Sequence, residues 1–248
     1  MRIATNEQIV ESNKKTATRL FFFSLLILLA GFLLANGSAF GLIDPELIDG
    51  TVYLFGMPLI LLVGFITTMI SVRMTNIWVR VPRPEDTIEE GLKGISNKSA
   101  LYHYFHLPAR HVLICPQGVF AIVTRFQDGK IVAKNGRWRI KRNIISQILS
   151  AFRFDSLGDP QIDAEDAADH IRYLIEDYDP DIPVYPVIVF HDPRAELFLD
   201  DPDIPAVYAN PKREPNLRDY VRSKDRAEQF DTNEKLTAFV TEFEEYTV

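Results

Sequence analysis

The chain has 248 residues, one cysteine and a formal charge of −7, from 27 Lys and Arg against 34 Asp and Glu. A single Cys115 excludes a disulfide framework and suits a reducing compartment. The total hides two unlike stretches: residues 73–153 carry 14 Lys and Arg against 5 Asp and Glu, and residues 155–248 carry 9 against 24.

Two charge-free apolar runs come first along the chain, Leu20 to Ile43 (24 residues) and Gly50 to Val72 (23 residues). As helices, at about 1.5 Å per residue, each spans a hydrocarbon core of roughly 30 Å. Lys14, Lys15 and Arg19 before the first run resemble the charged start of a signal peptide. That run is longer than a signal's apolar stretch, and a second run follows after six residues, which favours a two-helix hairpin. Lys14, Lys15 and Arg19 precede the hairpin and Arg73, Arg80 and Arg83 follow it, while the connecting Asp44–Asp49 has no Lys or Arg. The positive-inside rule then puts both termini in the cytoplasm. The expected organisation is a cytoplasmic segment 1–19, a transmembrane hairpin 20–72, a proline-stiffened linker 73–84, an α/β domain 85–225 and a C-terminal helix 226–248.

Within the cytoplasmic part, Glu85 to Ile95 predicts a short amphipathic helix facing inward through Ile88, Leu92 and Ile95. Tyr102-His-Tyr-Phe-His-Leu107 reads as a surface or half-buried segment ahead of the first strand. Arg110 to Lys141 predicts a meander of short strands, with turns at Pro116-Gln-Gly118, Asp128-Gly129 and Asn135-Gly136. Asp163 to Asp177 reads as a helix burying Ala167, Ile171, Leu174 and Ile175. A β-rich run Val184 to Phe190 follows, then a short strand at Ala206–Tyr208 and helices near Leu217–Arg222 and Asn233–Glu245.

His111-Val-Leu-Ile-Cys-Pro-Gln-Gly-Val-Phe-Ala-Ile-Val-Thr-Arg125, with Gly129-Lys-Ile131 and Gly136-Arg-Trp138, resembles the nuclease-related domain (NERD). Val184–Phe190 followed by Asp192-Pro-Arg194 fits the same family, and the resemblance covers roughly residues 85–225. It implies a restriction-endonuclease-like mixed sheet flanked by helices. It also implies chemistry built on an Asp opening one strand and a Glu-x-Lys on the next, with carboxylates holding Mg²⁺ and the Lys orienting water.

At those positions this chain has Arg110 in place of the Asp and Val123-Thr124-Arg125 in place of Glu-x-Lys. A cation repels a metal ion and an aliphatic side chain cannot ligate one. The expected reading is a retained scaffold with vestigial site positions Arg110, Val123 and Arg125 and no catalytic residue. The later Asn-Pro-x-x-Gln element of the family reads Asp159-Pro-Gln-Ile-Asp163, altered again. A relocated metal site built from Glu85, Asp86, Glu89 or Glu90 with Asp128 is the alternative and would make the chain a metal-dependent nuclease. His103, His106 and His111 lie close in sequence, but without converging carboxylates or thiolates they do not make a metal site. Asp200, Asp201 and Asp203 read as a solvated acidic turn, and Cys115 as a small buried residue. No cofactor is expected.

Arg139 to Phe154 is basic at its start and, if helical, groups Ile144, Ile145, Ile148, Leu149 and Phe152 on one stripe. A core helix is one reading. The other is an interfacial helix in which Lys141, Arg142, Ile144, Ile148 and Phe152 contact the membrane. The partners expected are therefore the lipid bilayer and anionic headgroups, at about 1 kcal/mol per well-placed cation. Local compensation between the basic and acidic stretches is the plain alternative. Nucleic acid is less favoured, since few aromatics are present there for base stacking.

Overall fold

The computed structural model describes residues 1–42, 44, 50–134, 136–141 and 156–245. They divide into two compact units, 8–81 in one and 1–7, 82–141 and 156–245 in the other.

The first unit contains α1 (Glu7–Asn36) and α2 (Met57–Trp78), the latter entered through a wide π-type turn, Val52–Gly56. Both helices are long and apolar enough to cross a membrane. Their large side chains face outward: Phe22, Leu26, Leu59 and Leu62 are all more than half exposed. The buried positions instead include Ala17, Ser24 and Gly31 on α1 and Gly64 and Ser71 on α2, recurring every seventh residue. A soluble helix pair would bury its large apolar residues. Here small ones let the backbones approach, as in bilayer packing. A Cβ at Gly64 would stand 3.0 Å from Leu28, and one at Gly31 3.1 Å from Ile60. Thr67 and Thr68 donate their hydroxyls to the carbonyls of Val63 and Gly64, so neither presents an unsatisfied group.

The second unit is an α/β domain. Its elements are β1 (Arg2–Thr5), α3 (Pro84–Gly91), β2 (Ala100–His106), β3 (Ala109–Cys115), β4 (Gly118–Arg125), β5 (Gly129–Lys134), β6 (Arg137–Lys141), α4 (Pro160–Ile175), β7 (Val184–Phe190), β8 (Ala195–Asp200), β9 (Ala206–Tyr208), α5 (Leu217–Arg222) and α6 (Asn233–Glu245). Six strands form a mixed sheet in the order β1-β2-β3-β4-β7-β9, and three form a second sheet, β6-β5-β8. In the large sheet β2-β3-β4 is antiparallel, while β1 joins β2, β7 joins β4 and β9 joins β7 in parallel.

Side-chain alternation gives the large sheet two apolar faces. Tyr102, Val112, Ile114, Val119 and Ala121 share a core with Ala167, Ala168 and Ile171 of α4 and Leu236, Phe239 and Phe243 of α6. Leu101, Leu113, Phe120, Ile122 and Val187 share the other with Ile88 of α3, Leu92 just beyond it, and Leu217 and Val221 of α5. α4 starts sharply: Asp159 accepts from the amides of Gln161 and Ile162, with Pro160 at the first helical position. Asp159-Pro160 thus serves here as a helix cap.

Several expectations need correction. Tyr102–His106 is not a surface segment but part of buried strand β2. The meander does not stay in one sheet: β3 and β4 lie in the large one, β5 and β6 in the small one. Arg139 and Lys141 belong to strand β6 and not to a helix, because β6 pairs with β5 from Lys134–Arg137 to Lys130–Lys141. Arg142, Ile144, Ile148 and Phe152 lie outside the described residues. Strands β1 and β8 are additions.

Gly91 closes α3 against the chain after β9. A Cβ there would overlap the carbonyl oxygen of Ala209 and reach 3.3 Å from its carbon. Helix propensity alone favours Gly91→Ala by up to about 1 kcal/mol, whereas forced overpacking costs about 1–3 kcal/mol. Backbone cannot move aside as a side-chain tip can, so the clash wins. Thermal unfolding of the full chain in neutral detergent should show Gly91→Ala destabilised. A rise in melting temperature would contradict this packing.

Candidate functional site

β3 and β4 pair with His111 opposite Ile122 and Val112 opposite Ala121. The next step of that register puts Arg110 opposite Val123. Alternation then sends Arg110, Val123 and Arg125 to the face that carries Val112, Ile114, Val119 and Ala121, beneath α4. The three positions singled out in the sequence therefore share one face of two neighbouring strands. Arg110 and Arg125 are also close enough for each charge to be felt: Arg110 lowers the proton affinity of Arg125.

Arg125 is held by an ion pair to Asp163, in the first turn of α4. Its side chain is 11% exposed and that of Asp163 58%, so the cation is covered and its partner faces water. Arg125 also donates Nη1 to its neighbour's carbonyl, Thr124 O, at 3.1 Å. Burial pulls the guanidinium pKa down, and Asp163 opposes that shift. Arg remains charged under either influence. Val123 packs against two apolar clusters. Thus a cation, an aliphatic chain and a paired cation occupy the three positions singled out in the sequence. Asp163 was not singled out as a partner; its i, i+4 relation to the cap Asp159 was the available signal.

Two carboxylates of the relocated-site reading, Asp128 and Glu85, have other partners. Asp128 pairs with Arg194 at 3.1 Å. Arg194 in turn makes two side-chain bonds to Asp192, fixing the Asp192-Pro-Arg194 turn. Glu85 is buried, accepts from Tyr104 Oη at 2.9 Å and pairs with Arg83. Among the described residues, no three His, Cys, Asp or Glu converge as a metal-binding group.

The opposite face holds an imidazole pair. His103 and His111 are fully buried and meet Nδ1 to Nδ1 at 2.8 Å. One ring must donate and the other accept, so two neutral rings have opposite tautomers. Glu89 Oε1 lies 3.6 Å from His103 Nε2. That carboxylate favours the proton on His103 Nε2, making His111 the Nδ1 donor and leaving its Nε2 bare. Burial lowers the His103 pKa to about 4 and holds that of His111 well below its usual value. Tyr104, next along a bulged part of β2, has φ +66, a left-handed backbone that a tyrosine rarely adopts. Its ring abuts His111 at 5.0 Å between centroids. His106 forms a separate group with Phe243, and burial followed by repulsion from His170 lowers its pKa to about 4. Cys115 is buried, which pushes its thiol up to about 12.

These neutral histidines give a signed pH dependence. The unfolded chain binds protons on them near pH 6.5, whereas the folded domain resists protonation until about pH 4. Stability should be complete above about pH 6.5 and fall as pH drops toward 4. Denaturation of the full chain against pH should show a smaller loss of stability between the two limits in His106→Phe, by about 3 kcal/mol. An unchanged slope would mean that His106 titrates normally in the fold.

No curated protein and no solved structure matches the chain. Residues 85–191 match the family model of the nuclease-related domain. That span runs from Glu85 on α3, through the β2–β4 ladder and α4, to the end of β7, which is the part of the fold that carries the three site positions. Over this core, the chain is similar to the nuclease-related domain (NERD) family.

Proposed function

We propose that this protein is a membrane-anchored, non-catalytic NERD module on the cytoplasmic face, which binds or scaffolds a partner. The observation that carries the reading is the occupancy of the site: Arg110, Val123 and Arg125 share one face, and the buried Arg125 is neutralised by Asp163. A metal-dependent nuclease needs carboxylates converging on a cation. An arginine at one such position and a valine at the next oppose that arrangement.

Two features support anchoring with both ends of the hairpin on one side. The flanking Lys and Arg bracket two apolar helices. In addition, β1, which precedes the first helix, pairs in parallel with β2, which follows the second, from Arg2 with Ala100 to Thr5 with His103. Strands in one sheet share a compartment, so the intervening chain must cross the membrane an even number of times.

The full chain, purified in neutral detergent and incubated with plasmid and single-stranded DNA or RNA plus Mg²⁺ or Mn²⁺, should cleave neither beyond the buffer control. EDTA-sensitive cleavage abolished by Glu89→Ala or Asp128→Ala would overturn the non-catalytic reading and favour the relocated site.

A reporter enzyme that matures only outside the cytoplasm, fused after Val248, should stay silent. An active fusion would overturn the topology.

A further inference from the structure

The small sheet has one face turned to the core and one to solvent. Ile131, Ala195, Trp138, Ile140 and Leu197 belong to a shared core with Ile188 and Phe190. Trp138 stacks on Phe190 at 6.3 Å. The opposite face is read directly from the pairing. Lys141, Lys130 and Glu196 form one row across β6, β5 and β8; Arg139, Val132 and Phe198 form the next; Arg137, Lys134 and Asp200 form the third. Five of these nine side chains are cations, all exposed, on two adjacent strands. Cross-strand neighbours stand about 5 Å apart and same-face residues along a strand roughly 7 Å apart, so the five make a flat basic patch.

We propose that this outer face of the small sheet is a docking surface for anionic phospholipid headgroups. The proposal rests on the membrane-anchored reading above. Lys134 pairs with the exposed Asp200 at 2.9 Å, and Lys130 lies 5.9 Å over the Phe198 ring. Arg137, Arg139 and Lys141 have no ion-pair partner among the described residues. Cations on an edge strand also guard against strand-to-strand aggregation. Guarding does not require the charge to continue onto the central strand, and here Lys130 and Lys134 of β5 carry it there. Phe198, half exposed in the middle row beside Val132, offers an apolar group to the headgroup layer. Each well-placed cation raises partitioning onto an acidic leaflet roughly five-fold. A chain with two membrane-crossing helices meets lipid at high effective concentration, so weak individual contacts add up. Nucleic acid would be drawn by the same charge, but the face has one aromatic for stacking and an acidic border at Glu196 and Asp200.

The test uses the full chain with Phe198→Cys carrying an environment-sensitive fluorophore. Buried Cys115 should escape the reagent. The labelled protein is reconstituted into vesicles of phosphatidylcholine alone or with added phosphatidylglycerol, and flotation is scored separately. Expected is a blue shift and headgroup-quencher access only with phosphatidylglycerol. Both should fade as salt rises beyond about 0.15 M, where the Debye length is about 8 Å. The shift should be lost in Arg137→Glu, Arg139→Glu, Lys141→Glu and reduced in the corresponding Gln triple variant, whose melting should match the parent. Identical emission in both vesicles, with the protein floating in each, would overturn this proposal and leave the anchor intact. Failure to float with either would overturn the anchor and the proposal together. A shift caused by an oligonucleotide in phosphatidylcholine vesicles, with none from phosphatidylglycerol, would assign the face to nucleic acid and overturn it too.

Discussion

Five paired positions between β3 and β4, from His111 opposite Ile122 to Cys115 opposite Gly118, sort the side chains around them. Because strand side chains alternate, this register sends Arg110, Val123 and Arg125 beneath α4 and His111 to the face shared with α3. A slip of one residue would exchange the two sets. Arg125 would then lose Asp163, and the imidazole pair would be set against α4. Strong constraints hold the register in place. At Gly118, φ is +133 and a Cβ would come within 2.6 Å of the Pro183 carbonyl oxygen, so the turn between the strands admits little else. Parallel pairing of β4 with β7 over the full length of β7 fixes the other edge.

The two faces handle buried polar groups in opposite ways. Beneath α4, a covered guanidinium keeps its charge and is neutralised by a carboxylate at the helix start. On the other side, His103 and His111 give up their charge and satisfy one another through Nδ1. Both solutions avoid an unpaired ion in a low-dielectric interior, whose cost would reach several kcal/mol. The first can act electrostatically on an anion near the site; the second is silent near neutral pH.

Much of this was legible because it follows from period and punctuation. The apolar runs, the Ile88–Leu92–Ile95 stripe, the β3-turn-β4 pattern, the α4 helix and the Val184–Phe190 strand all declare themselves by spacing. The common face of Arg110, Val123 and Arg125 was legible through strand alternation. Other parts were hidden for physical reasons. β2 looked half-exposed because His103, His106 and two tyrosines are polar, yet pairing with His111 takes up His103 Nδ1, and the Glu244 and Glu85 carboxylates accept from Tyr102 and Tyr104. β8 escaped notice since it places Phe198 outward between Glu196 and Asp200. β1 is four residues without a usable pattern, and its partner is nearly a hundred residues away. Division of the strands between two sheets depends on β5 choosing β8, a long-range pairing that no local pattern reports.

That distant β1–β2 pairing also bears on the order of assembly. Arg2–Thr5 emerges before either apolar helix, but Ala100–His103 emerges only after both. The edge of the large sheet therefore cannot close until the whole intervening segment has been made. Until then its first strand is an unpaired edge, the kind of backbone that invites wrong partners. Closure fastens the chain on either side of the apolar segment to one ladder, so a loop that began as two free ends finishes as a ring closed by hydrogen bonds.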